Sequence, residues 1–329
     1  MRRFAVVKLA SAEMAEKKLA TRAAFGATLA ELAEEGVPVV AVDADLTGST
    51  TTKKFAAAAP ENADKLFNCG IAEQNMIDVA AGLALTGHVA YTGSFAVFGT
   101  GRAYDQIRNT VCYSNLDVKI CPTHAGVSVG PDGGSHQMLE DVSLMRGLPN
   151  MRVLVPADYA AARAAIKLAA KTPGPVYVRM GRAAVPCVYD DDVELEIGRA
   201  YVLREGSDAT VVACGVEIRE ALAAADMLAE EGVSIEVIDA FSVKPLDEDT
   251  ITASVAKTGC CVVAEEHSVH GGLGSAVAEC LARKNPAPCE FVGVQDRFGK
   301  SGEFEELLGY FNLDAAAIVE AVKRARGRK

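Results

Sequence analysis

The chain contains no tryptophan, and aromatic residues make up only 6% of it. It also lacks any apolar run approaching the roughly 20 residues that a membrane-spanning helix needs, so no membrane partner is expected. The opening "MRRFAVVKLASAEMAEKK" starts like an export signal, but its apolar stretch is brief and charge resumes at once, which predicts cytoplasmic residence. Positive charge is in deficit: 33 Lys and Arg stand against 44 Asp and Glu, for a net charge of −11. That balance argues against a nucleic-acid surface and against attraction to anionic membranes. A phosphate-bearing ligand must therefore be held by a local arginine cluster. The one basic run, "KRARGRK" from Lys323 to Lys329, reads as a frayed, solvated helix end. Paired cysteine spacing is missing too. Nine cysteines lie singly, apart from the adjacent Cys260 and Cys261, which excludes a disulfide framework and fits reduced thiols. "CPTH" (Cys121 to His124) has the spacing of half a zinc site, but no second Cys/His pair completes it, and no metal is expected on this chain.

What is present is the alternation of an α/β enzyme. Over 329 residues, 50% of them hydrophobic, short β-branched runs alternate with alanine-rich helical stretches, the pattern of mostly parallel sheets covered by helices. "AEMAEKKLATRAAFGATLAELAEEG" predicts one helix ended by Gly36, and "VPVVAVD" a buried strand ending at Asp43. The alternation pauses in an acidic, proline-containing stretch, "VPCVYDDDVELEIGR" from Val185 to Arg199, which reads as a linker. The fold class follows as α/β with two doubly wound domains, residues 1–190 and 191–329.

In such sheets ligands gather at the carboxyl ends of the strands. The first domain loads those ends with chemistry: Asp45 and Ser49 in "DADLTGST", Glu73 in "NCGIAEQ", Phe95 and Phe98 in "TGSFAVF". His124, Asp132 and His136 follow in "THAGVSVGPDGGSH", with Arg179 and Arg182 in "VYVRMGR". Each has an ordinary explanation. Glu73 can serve the dipole of the helix it opens, the phenylalanines can be core, the glycine loop a long turn, and the arginines surface charges. Only their joint placement argues for a site. In the second domain "HSVHGGLGSAVAE" (His267 to Glu279) invites a phosphate at a helix start but lacks nucleotide-loop spacing, and reads as tight helix–sheet packing.

Four stretches, "FNCGIAEQNMIDVAAGLAL", "THAGVSVGPDGGSHQ", "LPNMRVLVPAD" and "DRFGKSGEFEELLGYFNLDAAAI", resemble the transketolases, in family order and over nearly the whole chain. The likeness is to the C-terminal half of a full-length transketolase, and so to the C-terminal subunit of a split one. It implies a thiamine diphosphate pyrimidine-binding domain followed by a transketolase C-terminal domain. The Gly-Asp-Gly motif that holds the cofactor's diphosphate and its divalent metal is absent here. The resemblance therefore implies that an N-terminal transketolase subunit supplies that site with Mg²⁺ or Ca²⁺, and that two copies of each subunit form a 2+2 heterotetramer.

Carried over residue by residue, the resemblance gives Glu73 the role of hydrogen-bonding N1′ of the cofactor's aminopyrimidine, which promotes removal of the thiazolium proton. Phe95 and Phe98 match aromatics that pack on the pyrimidine, a third aromatic position falls at Gly101, and Asp45 matches an acidic residue near the cofactor. Arg22, Ser49 and Arg182 match positions that grip the sugar phosphate, with Arg179 an alternative to Arg182. His124 and His136 match histidines that contact the sugar and assist proton movements, and Asp132 matches an aspartate that reads a substrate hydroxyl. "VIDAFSVKPLDE" and "EEHSVHGGLGSAVAE" look closer to 1-deoxy-D-xylulose 5-phosphate synthase, though that enzyme has an arginine where this chain has His124. The β subunit of a 2-oxoacid dehydrogenase is another free-standing half, but lacks the loop from Gly130 to His136. A non-catalytic assembly subunit would need none of these residues together.

Overall fold

A computed structural model describes residues 7–329. The first domain is built on a seven-stranded sheet in the order β12-β6-β7-β5-β4-β2-β3. Its strands are β2 (Val39–Asp43), β3 (Leu66–Asn68), β4 (Val89–Gly93), β5 (Val118–Ile120), β6 (Arg152–Leu154), β7 (Val176–Val178) and β12 (Ser242–Lys244). All pair in parallel except β12, which runs antiparallel to β6. β2 and β4 are buried along their whole length, as expected of apolar runs covered by helices on both faces. The second sheet has the order β14-β13-β10-β11-β9, formed by β9 (Tyr201–Arg204), β10 (Ala209–Ala213), β11 (Ile235–Asp239), β13 (Cys261–Ser268) and β14 (Cys289–Val294). It is parallel apart from the edge strand β9.

The two sheets are not independent. β12 belongs by sequence to the second half of the chain yet completes the first sheet, and the main-chain N–H of Val155 donates to Phe241 O at 2.9 Å beside it. Three residues with no alternation of their own carry no strand signal in the sequence. Their pairing comes from the neighbour.

The single helix expected from Ala12 to Gly36 is broken. Ala12–Ala15 is one short helix and Ala23–Glu34 another, and between them β1 (Lys18–Ala20) pairs antiparallel with β8 (Ala184–Pro186). Helix propensity is a weak prior, and here a tertiary ladder overrides it. The Gly181 N–H donates to Thr21 Oγ1 at 2.7 Å and fixes the corner. The break matters, because it delivers Arg22 to the edge where Gly181 and Arg182 lie.

The basic tail is likewise not frayed. The helix Ala315–Arg326 runs through it, Arg324 Nε reaches Glu290 Oε2 at 3.0 Å, and Lys323 pairs with Glu231 at 3.1 Å. In an acidic protein those carboxylates are the available partners. At "HSVHGGLG", the N–H groups of Leu273 and Gly274 donate to the buried Glu265 carboxylate at 2.7 and 2.8 Å. The helix start is thus filled by the protein's own anion, in keeping with the packing reading. Among the described residues no helix is long and apolar enough to cross a membrane.

Candidate active site

The carboxyl ends of β2, β3, β4, β5 and β7 open on one side of the first sheet, and each delivers a part of the site. β2 ends in Asp43, whose buried carboxylate organises the next loop. It accepts hydrogen bonds from the Thr50 and Thr52 hydroxyls at 2.7 and 2.9 Å and from the Leu46 N–H at 2.6 Å. This staple holds the turn in which Asp45 takes φ 64° and Thr51 φ 71°. Gly26 lets the helix Ala23–Glu34 press onto that turn, since a Cβ there would overlap the Thr51 carbonyl. Arg22 then donates from Nη1 to the Ser49 carbonyl at 2.8 Å. Asp45 is exposed and tied to the end of β3, exchanging hydrogen bonds with the Asn68 amide at 3.1 and 3.2 Å.

Glu73 opens the helix Glu73–Leu85 and is 1% exposed. First-turn position and burial are both present, so a helix-dipole role does not exclude a ligand cleft. Its carboxylate is met by Arg102, from Nη1 to Oε2 at 2.8 Å, and the same guanidinium lies 4.8 Å from the centre of the Phe98 ring. Phe98 stands 6.3 Å from Phe95 in a near-parallel arrangement. Phe95 in turn stacks on His124 with centroids 3.8 Å apart, and His136 meets Phe98 edge-on at 5.4 Å. Two segments about 30 residues apart in sequence therefore close into one ring cluster, joined by a bridge between Phe95 and Thr123.

His124 is buried at φ 61° and shares a 2.7 Å hydrogen bond between Nδ1 and the Thr123 hydroxyl. Burial, then the nearby Arg22, Arg182 and His136, push its pKa down to about 3. The imidazole is therefore neutral at ordinary pH and can hydrogen-bond without adding charge. Burial also lowers the Arg22 pKa, with the charge of Arg182 adding to it, and the Arg22 main-chain N–H donates to the Gly181 carbonyl at 3.4 Å. Arg182, half-buried, donates from Nη1 to Val129 O at 2.5 Å. Arg179 is used elsewhere. Its Nε and Nη2 grip Asp141 at 2.7 and 3.1 Å, and Tyr177 donates to the same carboxylate at 2.5 Å. That buried pair consumes the guanidinium, leaving Arg182 as the available cation. Asp132 is exposed on the short 3₁₀ segment Val127–Asp132, and His136 is half-buried after it.

The structure thus joins Glu73, Phe98, Phe95, His124 and His136 in one contiguous cluster, with Arg22 bonded to the Ser49 carbonyl and Arg182 to the Val129 carbonyl, while Asp45 and Asp132 are exposed. Sequence reasoning missed Asp43, Arg102 and the Arg179–Asp141 pair. Only Arg102 had a signal, standing next to Gly101 where a third aromatic was expected. Among the described residues no group of three or more His, Cys, Asp or Glu is placed to hold a metal ion.

Residues 17–188 match the family model described as transketolase, pyrimidine binding domain, and residues 198–318 match transketolase, C-terminal domain. The chain is 45% identical over 304 residues to a putative transketolase C-terminal section of Methanocaldococcus jannaschii, covering 92% of this chain and 94% of that protein. It is 42% identical over 301 residues to a 6-deoxy-6-sulfo-D-fructose transketolase subunit of Clostridium sp. (strain MSTE9), covering 92% of each. Among solved structures it resembles one titled split gene transketolase, inactive beta4 tetramer, at 48% identity and a TM-score of 0.86, covering 94% of this chain and 99% of that one.

Proposed function

The chain belongs to the transketolase family, and from that premise we propose that it is the C-terminal subunit of a split, thiamine diphosphate-dependent transketolase. It moves a two-carbon ketol unit from a ketose phosphate to an aldose phosphate, in the cytoplasm, once an N-terminal subunit supplies the metal and diphosphate site. A 2+2 assembly is the expected active form.

The observation that carries this reading is the seat between Glu73 and Phe98. A flat, N–H-bearing cation, the Arg102 guanidinium, lies over the Phe98 face and donates to the Glu73 carboxylate. An aminopyrimidine is also flat and polar-edged, so the residues fit that half of the cofactor. For the other half of the cofactor, the sequence carries no Gly-Asp-Gly motif. When bound, thiamine diphosphate supplies the nucleophilic carbon that carries the two-carbon unit.

The chain's own residues do the rest. Glu73 shares a proton at pyrimidine N1′ from a site that excludes water, and Phe95 with Phe98 fixes the ring plane. Asp45 borders the cofactor from the β2 loop. Arg22 and Arg182, with Ser49, hold the sugar's terminal oxyanion through charge-assisted hydrogen bonds. His124, held neutral by its burial, and His136 contact the sugar oxygens and move protons there, and Asp132 reads a hydroxyl of the acceptor. The related subunit named for a sulfonated sugar supports a second reading, in which the same cationic pair takes a sulfonate.

The test is a ketol-transfer assay. The purified chain should be inactive alone and gain activity when mixed with a subunit carrying the Gly-Asp-Gly motif, thiamine diphosphate and Mg²⁺. Full activity of the chain alone would refute the split-enzyme reading. Comparing a 6-phosphate with a 6-sulfonate donor in that mixture decides between the two substrates.

A further inference from the structure

We infer that Glu266, on the second domain's sheet, is the positioning residue that sets the geometry of the 124–136 loop by anchoring Ser128. The assignment rests on the reading of that loop as the substrate loop.

Glu266 lies near the end of β13 and is 3% exposed. Its carboxylate crosses to the first domain, where Oε1 accepts the main-chain N–H of Ser128. The approach is possible because residue 126 is glycine. Gly126 sits at φ 81°, and a Cβ there would overlap the Glu266 carboxylate. Two more bonds bind the same strand end to the loop's surroundings. Arg179 Nη2 donates to Glu266 O at 3.0 Å, and the Ser268 N–H donates to Leu139 O at 2.7 Å. The loop is therefore held on β13 just after His124 and again just beyond His136.

An anchored carboxylate at that place is costly to bury, which argues for a task beyond packing. The hydrophobic alternative would need no charge opposite Gly126. The charged groups facing Glu266 are Arg179 from β7, with its Nη1 3.9 Å from Oε2, Asp141 from the helix Asp141–Arg146, and Glu217 from the helix Glu217–Glu230. Burial raises the Glu266 pKa to about 7 and Asp141 adds to the rise, while Arg179 and the bonds from Ser128 oppose it. Glu217 is fully buried, its oxygens are without hydrogen-bond partners among the described residues, and burial followed by the charge of Glu266 keeps its pKa well above the usual range. Glu266 is the carboxyl whose pKa lies near neutrality. Ionised, it is the stronger acceptor for the Ser128 N–H, so the loop is held more firmly above pH 7 than below it.

The experiment measures amide hydrogen exchange of the 124–136 segment in the full chain, corrected for intrinsic rates, at pH 6 and pH 8. Wild type, Glu266→Gln and Glu266→Ala are compared. Protection around Ser128 in wild type should rise by about tenfold from pH 6 to pH 8, the size of one hydrogen bond to a charged acceptor. Glu266→Gln, which keeps the shape and loses the charge, should show no such rise, and in the reconstituted enzyme it should flatten the kcat/KM profile through pH 7. A wild-type pH dependence retained in Glu266→Gln, or unchanged protection in Glu266→Ala, overturns the assignment. If wild type gives no ketol transfer on mixing, the functional reading fails, and the exchange data still decide whether Glu266 anchors the loop.

Discussion

Arg102 and Glu73 form an ion pair that bridges the aromatic wall and the buried carboxylate, with Nη1 2.8 Å from Oε2 and the guanidinium over the Phe98 ring. Arg102 is 46% exposed at its side chain while Glu73 is buried, so the arginine is the partner open to solvent. A cofactor that seats on Phe98 and Glu73 must displace it.

Replacing Arg102 therefore has opposite effects on stability and binding. Arg102→Met leaves Glu73 without its cation and lowers the thermal midpoint of the isolated chain. In the mixture with the partner subunit it removes a competitor, and the Kd for thiamine diphosphate falls. A Kd unchanged or raised, read by fluorescence titration, would mean that Arg102 and the pyrimidine do not share a seat.

Glu73→Ala in the mixed enzyme lowers kcat by at least about 100-fold, the lower range for loss of a positioned proton-transfer group. The KM for sugar phosphates should change little, since the proposed anion site lies with Arg22 and Arg182. Near-normal turnover would return Glu73 to helix-dipole duty, worth about 0.3–1 kcal/mol of stability and nothing in rate.

The two arginines at the end of β7 separate cleanly. Arg182→Ala raises the KM for phosphorylated sugars far more than for unphosphorylated donors and leaves the unfolding midpoint in urea unchanged. Arg179→Ala strands the buried Asp141 carboxylate and costs about 3–5 kcal/mol of stability, the range for breaking a buried pair. Equal effects on stability would place Arg182 in the scaffold instead.

His124 makes a pH prediction. Folding depresses its pKa from an ordinary value near 6.5 to about 3, so on acidification the unfolded chain takes up a proton that the folded chain refuses. The stability tied to His124 is whole above about pH 6.5 and is lost as pH falls toward 3. Between pH 6.5 and 5 this amounts to about 1.6 kcal/mol, since the loss approaches roughly 1.4 kcal/mol for each pH unit only below pH 6.5. Urea unfolding at those two pH values should show a larger drop for wild type than for His124→Asn. Equal drops would show that the imidazole is not kept neutral by the fold.

Much of this was legible in the chain. The parallel sheets follow from uniformly apolar strands such as Val39–Asp43, and the site residues follow from the loops after those strands. What escaped was set by distant partners. β1 and β12 are three-residue strands that exist because Ala184–Pro186 and Arg152–Leu154 offer them edges. The tail from Lys323 reads as solvated until Glu231 and Glu290 are seen beside it. Arg179 and Arg182 are equivalent as letters, and only the position of Asp141 tells them apart. Arg102 had only its place beside Gly101 as a signal and Glu266 had none, because each acts through a residue far away in sequence.

On the proposed function, this chain holds half of a cofactor site. Thiamine diphosphate with Mg²⁺ should be titrated into the chain alone, into a Gly-Asp-Gly-bearing subunit alone and into their mixture. Tight, saturable binding is expected only in the mixture, and lost with Glu73→Ala. Tight binding by this chain alone, at the stoichiometry of one cofactor per chain, would contradict it.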